Sequence, residues 1–376
     1  MTTEETREGE TAPAVMSAEE KTGAFVGRLF EAAIGAVDLV SVYLGDRLGL
    51  YRALADAGAS TPRDLASRAG IDERYAREWL EQQAVTGILE VDDAAKAEGE
   101  RRYSLPPAHA EALINLDSMF SISPLGRTLV ASIQALPQVM EAFRTGGGVQ
   151  WSDYGPDMIE SQGDFNRPWV MNLLGTEYLP SIADVHSRLQ ADPPARVADV
   201  ACGVGWASIA IAQAYPTVRI DAFDPDEGSI EIARGLAKEA GVSDRVRFEV
   251  RDGASLSNEG PYDLALVIES IHDMSRPVEV LASIRQSLSP EGTLIVADEK
   301  VGESFAAPGD AVERMMYGVS FLVCLPAGLS EQPSAGTGTV MRPGTFRRYA
   351  DEAGFKSVDI LDQVQHDFLR FYRLTP

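Results

Sequence analysis

The chain has 376 residues, of which 45% are hydrophobic and 24% are charged, a composition typical of a globular protein with a sizeable core. Its formal net charge of -24 makes nucleic acid a poor partner, because an acidic surface repels phosphate groups. The two cysteines have neither metal-ligand nor disulfide spacing, and we find no secretory signal and no apolar run that could span a membrane. The sequence therefore predicts a cytoplasmic protein without a metal site or a membrane partner.

The N-terminal segment divides into a polar tail and a helix. Residues 1–20 contain few large apolar side chains and are predicted to be disordered. From Thr22 onward, apolar residues recur at three- and four-residue steps, which predicts a long amphipathic helix. This apolar stripe must be buried, either inside the domain or in the seam of a homodimer.

A helical winged-helix domain is predicted over residues 21–115. LGLYRALADAG, STPRDLASRAG and DERYAREWLEQQAVTG predict three helices, and ILEVDD and RRYSL predict a two-stranded wing. Such units often bind DNA through their third helix. Here the two arginines of that helix are balanced by Glu78 and Glu81, which argues against DNA binding.

A helical connector and pocket wall is predicted over residues 116–195. Glycines 146–148 interrupt it, and Trp151 and Tyr154 follow on a stretch that we expect to be flexible. These two aromatic residues are therefore candidates for lining a substrate pocket. Asp192-Pro193-Pro194 closes the segment at a plausible domain boundary.

From residue 196 to residue 376, apolar strands alternate with helices. RVADV, VRIDAF, RVRFEV, DLALVIE and TLIVAD predict strands, and helices are predicted at 205–215, 227–241, 276–289 and 344–354. FKSVDIL and FLRFYRL predict two final strands. This alternation predicts a Rossmann-like, doubly wound, mostly parallel α/β sheet. An insertion at 301–342 is interpreted as a lid, a substrate wall or a packing excursion.

The first strand leads into a glycine-rich turn and a helix, RVADVACGVGWASIAI. Backbone N–H groups at such a helix N-terminus favour a negative ligand group. Carboxylates also end four successive strands, and we expect them to border one crevice. They are Asp199, Asp224, Asp252 and Glu269.

These carboxylates discriminate between two ligand classes. A dinucleotide would place a pyrophosphate close to Asp199, and two unit charges about 4 Å apart interact by about 4 kcal/mol at an effective dielectric constant near 20. The sixth position of the dinucleotide pattern is also Ser208 instead of glycine. S-adenosylmethionine carries an ammonium and a sulfonium that carboxylates stabilise. Asp224 can accept from its ribose, and Asp252 can accept from its adenine amine.

The motifs DVACGVG, DAFDPD, RDGASL and DLALVIESIHD resemble the successive motifs of the class I S-adenosylmethionine-dependent methyltransferases. With its winged-helix unit, the chain resembles the small-molecule O-methyltransferases of plants and actinobacteria over about residues 22–376, and an actinobacterial subgroup most of all. Ala201 stands where the family has a first glycine. The resemblance implies S-adenosylmethionine as cofactor, S-adenosylhomocysteine as product, a small-molecule acceptor, and a homodimer formed through the N-terminal domain. The implied cofactor-binding residues are Asp199, Ala201, Gly203, Gly205, Asp224, Pro225, Asp252, Gly253 and Glu269.

The resemblance also supplies candidates for catalysis. IHDMS is similar to the LHDWS segment of the resembled enzymes, in which a His-Asp pair provides the general base, and it points to His272 and Asp273. A histidine can accept a phenolic proton at neutral pH, and Glu299 is a candidate for orienting it. We therefore expect methyl transfer to a hydroxyl oxygen. Three alternatives remain open: transfer to nitrogen, a different reaction on the same fold, and a ligand-sensing winged-helix regulator.

Overall fold

The computed structural model describes residues 16–376. In the N-terminal half the helices are α1 (Ala18–Arg47), α2 (Leu50–Ala57), α3 (Pro62–Ala69), α4 (Glu73–Val85), α5 (Pro107–Ile114), α6 (Pro124–Gln134), α7 (Leu136–Thr145), α8 (Pro156–Trp169) and α9 (Ala183–Leu189). In the C-terminal half they are α10 (Trp206–Ala214), α11 (Glu227–Glu239), α12 (Pro277–Ser287), α13 (Ala311–Val319), α14 (Leu325–Gly328) and α15 (Pro343–Glu352). The strands are β1 (Glu90–Val91), β2 (Tyr103–Ser104), β3 (Arg196–Val200), β4 (Arg219–Asp224), β5 (Val246–Val250), β6 (Tyr262–Ile268), β7 (Leu288–Glu299), β8 (Ser357–Ile360) and β9 (Leu369–Thr375).

Most of the segment predicted to be disordered lies outside the described residues. The prediction is wrong for residues 18–20, which belong to α1. The reason is a capping box at the start of that helix. The hydroxyl of Ser17 accepts the backbone N–H of Glu20 at 3.2 Å, and the carboxylate of Glu20 accepts the N–H of Ser17 at 2.7 Å. This reciprocal pair satisfies two N–H groups that a helix start leaves without partners.

The apolar stripe of α1 is buried only near the C-terminal end of the helix. Residues 16–37 are exposed, and they include the large apolar side chains Phe25, Leu29 and Phe30. Burial begins with Ser41 and Val42, where the helix contacts α2 and α6. Burial within the domain therefore accounts for only the last part of the stripe that the sequence showed.

The winged-helix unit has the predicted order of elements. Helices α2 to α4 pack around a small core that includes Leu54, Leu65 and Leu80. β1 and β2 pair in antiparallel fashion, with Glu90 opposite Ser104 and Val91 opposite Tyr103. Each strand of the wing is only two residues long, shorter than the predicted segments.

A seven-stranded sheet forms the C-terminal domain, in the order β5-β4-β3-β6-β7-β9-β8. The strands from β5 to β7 are parallel, whereas β9 is antiparallel to both β7 and β8. Alternate residues of β3 enter separate cores, Val197 on one face and Val200 on the other, because a strand points successive side chains to opposite faces. The chain winds outward from β3 in both directions, so the crevice for a ligand lies beyond the carboxyl ends of β3 and β6. The Rossmann-like, mostly parallel sheet is thereby confirmed.

Residues 116–195 contain the helices α6 to α9. Helix α8 runs directly into a π-helical segment, Val170–Tyr178, which packs against α10. The insertion at 301–342 contains α13, a second π-helical segment (Ser320–Cys324) and α14. Within residues 16–376, no helix has both the length and the apolar character that crossing a membrane requires.

Candidate functional site

A cavity of about 540 Å³ lies at the carboxyl ends of the central strands. It brings together all nine predicted cofactor-binding residues, and His272, Asp273, Glu299 and Trp151 line it as well. Tyr154 is the one predicted site residue that does not. Its ring is buried in a cluster with Val139 and Met158, and its hydroxyl donates to the carbonyl of Leu322 at 2.8 Å. The prediction for Tyr154 is corrected because the short 3₁₀ turn Trp151–Tyr154 directs this side chain into the core.

The turn after β3 is built from residues with positive φ. Ala201 has φ +57° and Gly205 has φ +83°. A Cβ on Gly205 would lie 2.6 Å from Cε1 of Phe248, so both the backbone conformation and the packing require glycine there. Ala201 adopts a conformation that side chains rarely take, which explains why the resembled family has glycine at this position.

We expect two substitutions in this turn to have different effects on the free energy of unfolding. Gly205→Ala should lower the free energy of unfolding by about 2 kcal/mol or more, because backbone strain adds to overpacking against Phe248. Ala201→Gly should leave it within about 1 kcal/mol of the wild type or raise it, since relief of strain offsets the added chain entropy. Urea denaturation of both variants measures this difference. Equal stability of the Gly205→Ala variant and the wild type would contradict the packing argument.

Two buried carboxylates flank the turn. Asp199 accepts the hydroxyl of Ser208 at 2.7 Å, so the serine that breaks the dinucleotide pattern is bound to the carboxylate at the site. Asp224 accepts the N–H groups of Gly203 and Asp226, each at 2.9 Å. Burial raises the pKa of both carboxyls to about 6. Ionising these groups without a positive ligand is therefore costly.

The end of β5 provides a second edge of the cavity. Asp252 accepts the N–H of Ala254 at 2.9 Å through one oxygen and the guanidinium of Arg276 at 2.7 Å through the other. Gly253 has no room for a side chain, because a Cβ would lie 2.8 Å from Cγ1 of Val200. The predicted Asp252 is thus present at the cavity, with both of its carboxylate oxygens already engaged.

Glu269 is held by helix α8, which sequence reasoning missed. One carboxylate oxygen of Glu269 accepts Nε2 of Gln162 at 2.8 Å and Nδ2 of Asn166 at 2.6 Å. Glu269 itself has φ +50°, an uncommon conformation for a residue with a side chain. Gln162 and Asn166 are four residues apart and so share one helix face. That spacing was a visible signal, but nothing in the sequence showed which strand end they face.

His272 lines the same cavity and lies inside a cluster of carboxylates. Its Nδ1 is 3.0 Å from Oδ1 of Asp298 and 2.9 Å from Oε2 of Glu299, and its Nε2 is 3.2 Å from Oδ1 of Asp273. Burial disfavours the imidazolium, but Glu299, Asp273 and Asp298 outweigh this effect and hold the pKa of His272 well above its ordinary value. Burial raises the pKa of Glu299 well above its ordinary value. Sequence reasoning missed Asp298, although the Asp-Glu pair at the end of β7 was a signal for it.

The same histidine belongs to two groups of side chains that could hold a metal ion. His272, Asp273 and Cys324 form one group, and His272, Asp298 and Glu299 form the other, with ligand atoms within 4.8 Å of one another in each. Cys324 comes from the insertion, far from His272 in the sequence, so residue spacing gave no sign of the first group. Burial raises the pKa of the Cys324 thiol to about 12, which keeps it neutral.

The insertion forms part of the cavity wall and is bonded to the loop that carries His272. The N–H of Gly338 donates to the carbonyl of His272 at 3.1 Å, and the hydroxyl of Ser275 donates to the carbonyl of Gly328 at 2.9 Å. On its other side, the N–H of Val149 donates to the carbonyl of Pro326 at 3.0 Å. The insertion therefore joins the connector to the site. Its action as a lid stays a prediction.

Two family models match the chain. Residues 197–292 match a methyltransferase domain, and residues 35–115 match an Rv2258c-like winged helix-turn-helix domain. Among curated proteins, a 3-amino-4-hydroxybenzoate 4-O-methyltransferase from Streptomyces cremeus is 25% identical over 338 residues, covering 88% of this chain and 85% of that protein. A trans-aconitate 2-methyltransferase from Streptomyces coelicolor is 30% identical over 139 residues, 37% of this chain and 43% of that protein.

Solved structures share the whole fold. Human N-acetylserotonin methyltransferase in complex with S-adenosylmethionine has a TM-score of 0.69 at 16% identity, covering 96% of this chain and 98% of that one. By contrast, the chain spans only 42% to 44% of the length of three curated methyltransferases that it matches. The matched methyltransferase domain, the strand order of the sheet and the carboxylate-lined cavity all indicate the same kind of domain. Residues 197–292 therefore form a methyltransferase domain, with an Rv2258c-like winged helix-turn-helix domain in front of it at residues 35–115.

Proposed function

We propose that this protein transfers the methyl group of S-adenosylmethionine to a hydroxyl oxygen of a small molecule. The observation that carries the proposal is a single cavity lined both by buried carboxylates around a glycine turn and by His272. The donor set fits this cofactor, because Asp199, Asp224 and Glu269 can stabilise positive groups and would repel a pyrophosphate. The O-methyltransferase from Streptomyces cremeus, similar over most of this chain, supports oxygen as the acceptor atom.

The residues around the turn would hold the cofactor. Bound S-adenosylmethionine supplies a methyl carbon on a positively charged sulfur, which is open to attack by an acceptor oxygen. Asp224 would accept from the ribose hydroxyls, and the N–H groups of the turn would bind the cofactor carboxylate. Glu269, fixed by Gln162 and Asn166, would stabilise the positive groups.

His272 would act as general base towards the acceptor hydroxyl. With Nδ1 hydrogen-bonded to Asp298, Nε2 would be the nitrogen that receives the proton. Asp298 and Glu299 would position the ring and stabilise the imidazolium that forms, as a carboxylate does in other base–histidine pairs. Asp273, close to Nε2, would sit beside the path of the proton.

Cofactor binding and product analysis test the proposed function. We expect calorimetric titration to show saturable binding of S-adenosylhomocysteine and no binding of nicotinamide dinucleotides. Incubation with S-adenosylmethionine and a panel of phenols should give products heavier by one methylene, with the new methyl group on oxygen by carbon NMR. Failure to bind S-adenosylhomocysteine would overturn the proposal. Binding without any methylated product would instead favour a sensor or a different reaction.

We also propose that two copies associate through α1, one of the two possibilities that the sequence left open for its apolar stripe. The exposed apolar residues Phe25, Leu29, Phe30 and Val37 support this, because monomers rarely expose so long a row of large apolar side chains.

The two arginines of α4 are paired with acidic groups, Arg74 with Glu78 and Arg77 with Glu98. This pairing leaves little free positive charge on the helix for DNA.

We expect the wild type to be a dimer by light scattering. The double variant Leu29→Glu and Phe30→Glu should be a monomer, because charges placed in an apolar interface lose hydration without gaining partners. Glu19→Gln, also on α1, is a control that should stay dimeric. A wild type that remains monomeric at high concentration would refute the association.

A further inference from the structure

The cavity has an unusual balance of charge. Eight carboxylate side chains line it, whereas its cationic side chains are Arg276 and, when protonated, His272. No lysine of the described chain lines it. Because S-adenosylmethionine brings two positive groups and one carboxylate, carboxylates are needed at the cofactor end. Carboxylates are not needed where an acceptor would bind, so the carboxylates around His272 require a separate explanation.

We call the part of the cavity assigned to the acceptor the acceptor chamber and define it by the lining residues Trp151, His272, Asp273, Glu299 and Glu331. It contains three of the eight carboxylates. Asp298 lies directly behind it, in contact with His272. The indole of Trp151 adds an aromatic face, a surface that attracts cations rather than anions.

Neither cation of the cavity is free to bind an anionic acceptor. The guanidinium of Arg276 is already paired with two carboxylates, at 2.7 Å from Asp252 and 3.1 Å from Glu279. The imidazole of His272 is surrounded by Asp273, Asp298 and Glu299, all within 3.2 Å of its ring nitrogens. Even with Glu299 protonated, the acidic groups Asp273, Asp298 and Glu331 outnumber the single imidazole. An acceptor carboxylate, sulfate or phosphate would therefore meet an excess of acidic groups without a free cationic partner.

Resting on the proposed function, we propose that the acceptor is a phenol or related hydroxyl compound that is neutral or positively charged and bears no acidic group. Like charges juxtaposed at a binding site are a strong means of rejecting wrong partners. The chamber thus rejects anionic aromatic acids and admits their amides and amines. An acceptor with an amino substituent gains from the carboxylates and from Trp151.

A matched set of ligands tests this inference. Several hydroxylated rings are each prepared in three forms that differ at one position only: carboxylate, carboxamide and aminomethyl. Binding to protein saturated with S-adenosylhomocysteine is measured by calorimetry, so the result does not depend on turnover. We expect the carboxamide and aminomethyl forms to bind at least about tenfold more tightly than the carboxylate form of the same ring.

Charge-reversal variants make the test specific to the chamber. Glu331→Lys, in an exposed loop segment, should reduce the discrimination against the carboxylate form by about tenfold. Glu239→Lys changes the net charge equally at the exposed C-terminal end of α11 and should leave the discrimination unchanged. A difference between the two variants therefore reports the position of the charge and not the net charge of the protein.

The possible outcomes separate the inference from the proposed function. Binding of the carboxylate form as tight as that of its amide, or an equal effect of both lysine variants, overturns the inference. Preference for the amide and amine forms, with the loss of discrimination confined to Glu331→Lys, supports it. If this order of binding is seen and none of the bound compounds is methylated, the proposed function fails while the specificity of the chamber stands.

Discussion

Replacing His272 by glutamine is expected to lower kcat by about 10²- to 10⁴-fold, the usual contribution of a positioned general base. Glutamine keeps a polar side chain of similar length but cannot accept the hydroxyl proton at neutral pH. The dissociation constant for S-adenosylhomocysteine should change little, because the ring nitrogens of His272 contact Asp273, Asp298 and Glu299 rather than the glycine turn. Single-turnover kinetics and calorimetry measure the two effects separately.

Two further measurements distinguish lost base catalysis from damaged structure. An acceptor whose hydroxyl is acidic enough to be ionised at the assay pH should be methylated by the variant at nearly the wild-type rate, since it needs no base. His109→Gln, which alters an exposed histidine of the winged-helix unit, is the matched control and should keep full activity. A kcat for His272→Gln close to that of the wild type would remove His272 as the base.

The pH dependence of the wild type follows from the same cluster. A general base must be unprotonated to act, and the pKa of His272 is raised well above 6.5 by its carboxylate neighbours despite burial. We therefore expect kcat/KM for an unionised acceptor to rise with pH through a value above 6.5. In the His272→Gln variant this rise should be absent.

Replacing Asp224 by alanine is expected to weaken binding of S-adenosylhomocysteine by about tenfold to a hundredfold. A hydrogen bond to a charged group contributes about 1.5–3 kcal/mol, and about 1.4 kcal/mol corresponds to a factor of ten in affinity. The substitution also removes the acceptor for the N–H groups of Gly203 and Asp226, which loosens the turn itself. Calorimetric titration gives the dissociation constant directly.

Controls and pH sharpen this second prediction. Asp359→Ala removes an exposed carboxylate from β8, at the far edge of the sheet, and should not alter cofactor binding. Since the pKa values of Asp199 and Asp224 are about 6, wild-type affinity for the positively charged cofactor should fall as the pH falls through 6. Asp224→Ala should show a shallower dependence. Identical affinity of this variant and the wild type would exclude Asp224 from the cofactor site.

The raised pKa values also link stability to pH. A carboxyl whose pKa is higher in the folded state than in the unfolded state favours folding below the unfolded value of about 4. That contribution is lost as the pH rises through 6, when Asp199 and Asp224 ionise in the buried site. A positively charged ligand offsets this loss, so the cofactor should raise the Tm more at pH 7.5 than at pH 5.

Much of the C-terminal domain could be predicted from the sequence because local pattern determines it. The apolar run of β3, the positive-φ turn and the helix that follows are adjacent in the chain. Parallel strands place their carboxyl ends at one edge of the sheet. The sequence alone therefore predicts that the carboxylates that end β3 to β6 lie close together. The winged-helix elements were predictable for the same reason, since turn and cap residues mark their ends.

The other half of the site depended on contacts between distant segments. Gln162 and Asn166 reach Glu269 across more than 100 residues, and the thiol of Cys324 meets His272 across 52. Tyr154 turned inward because packing, not the flexibility of its segment, decides where a ring of that size is buried. The sequence by itself determined the strands, the glycine turn and the carboxylates that favour a cationic cofactor. Only the tertiary structure decided which side chains surround His272. It also decided that, among the described residues, the proposed acceptor chamber has no unpaired arginine or lysine. The reason is that the packing and the charge of a site depend on segments that are far apart in the sequence.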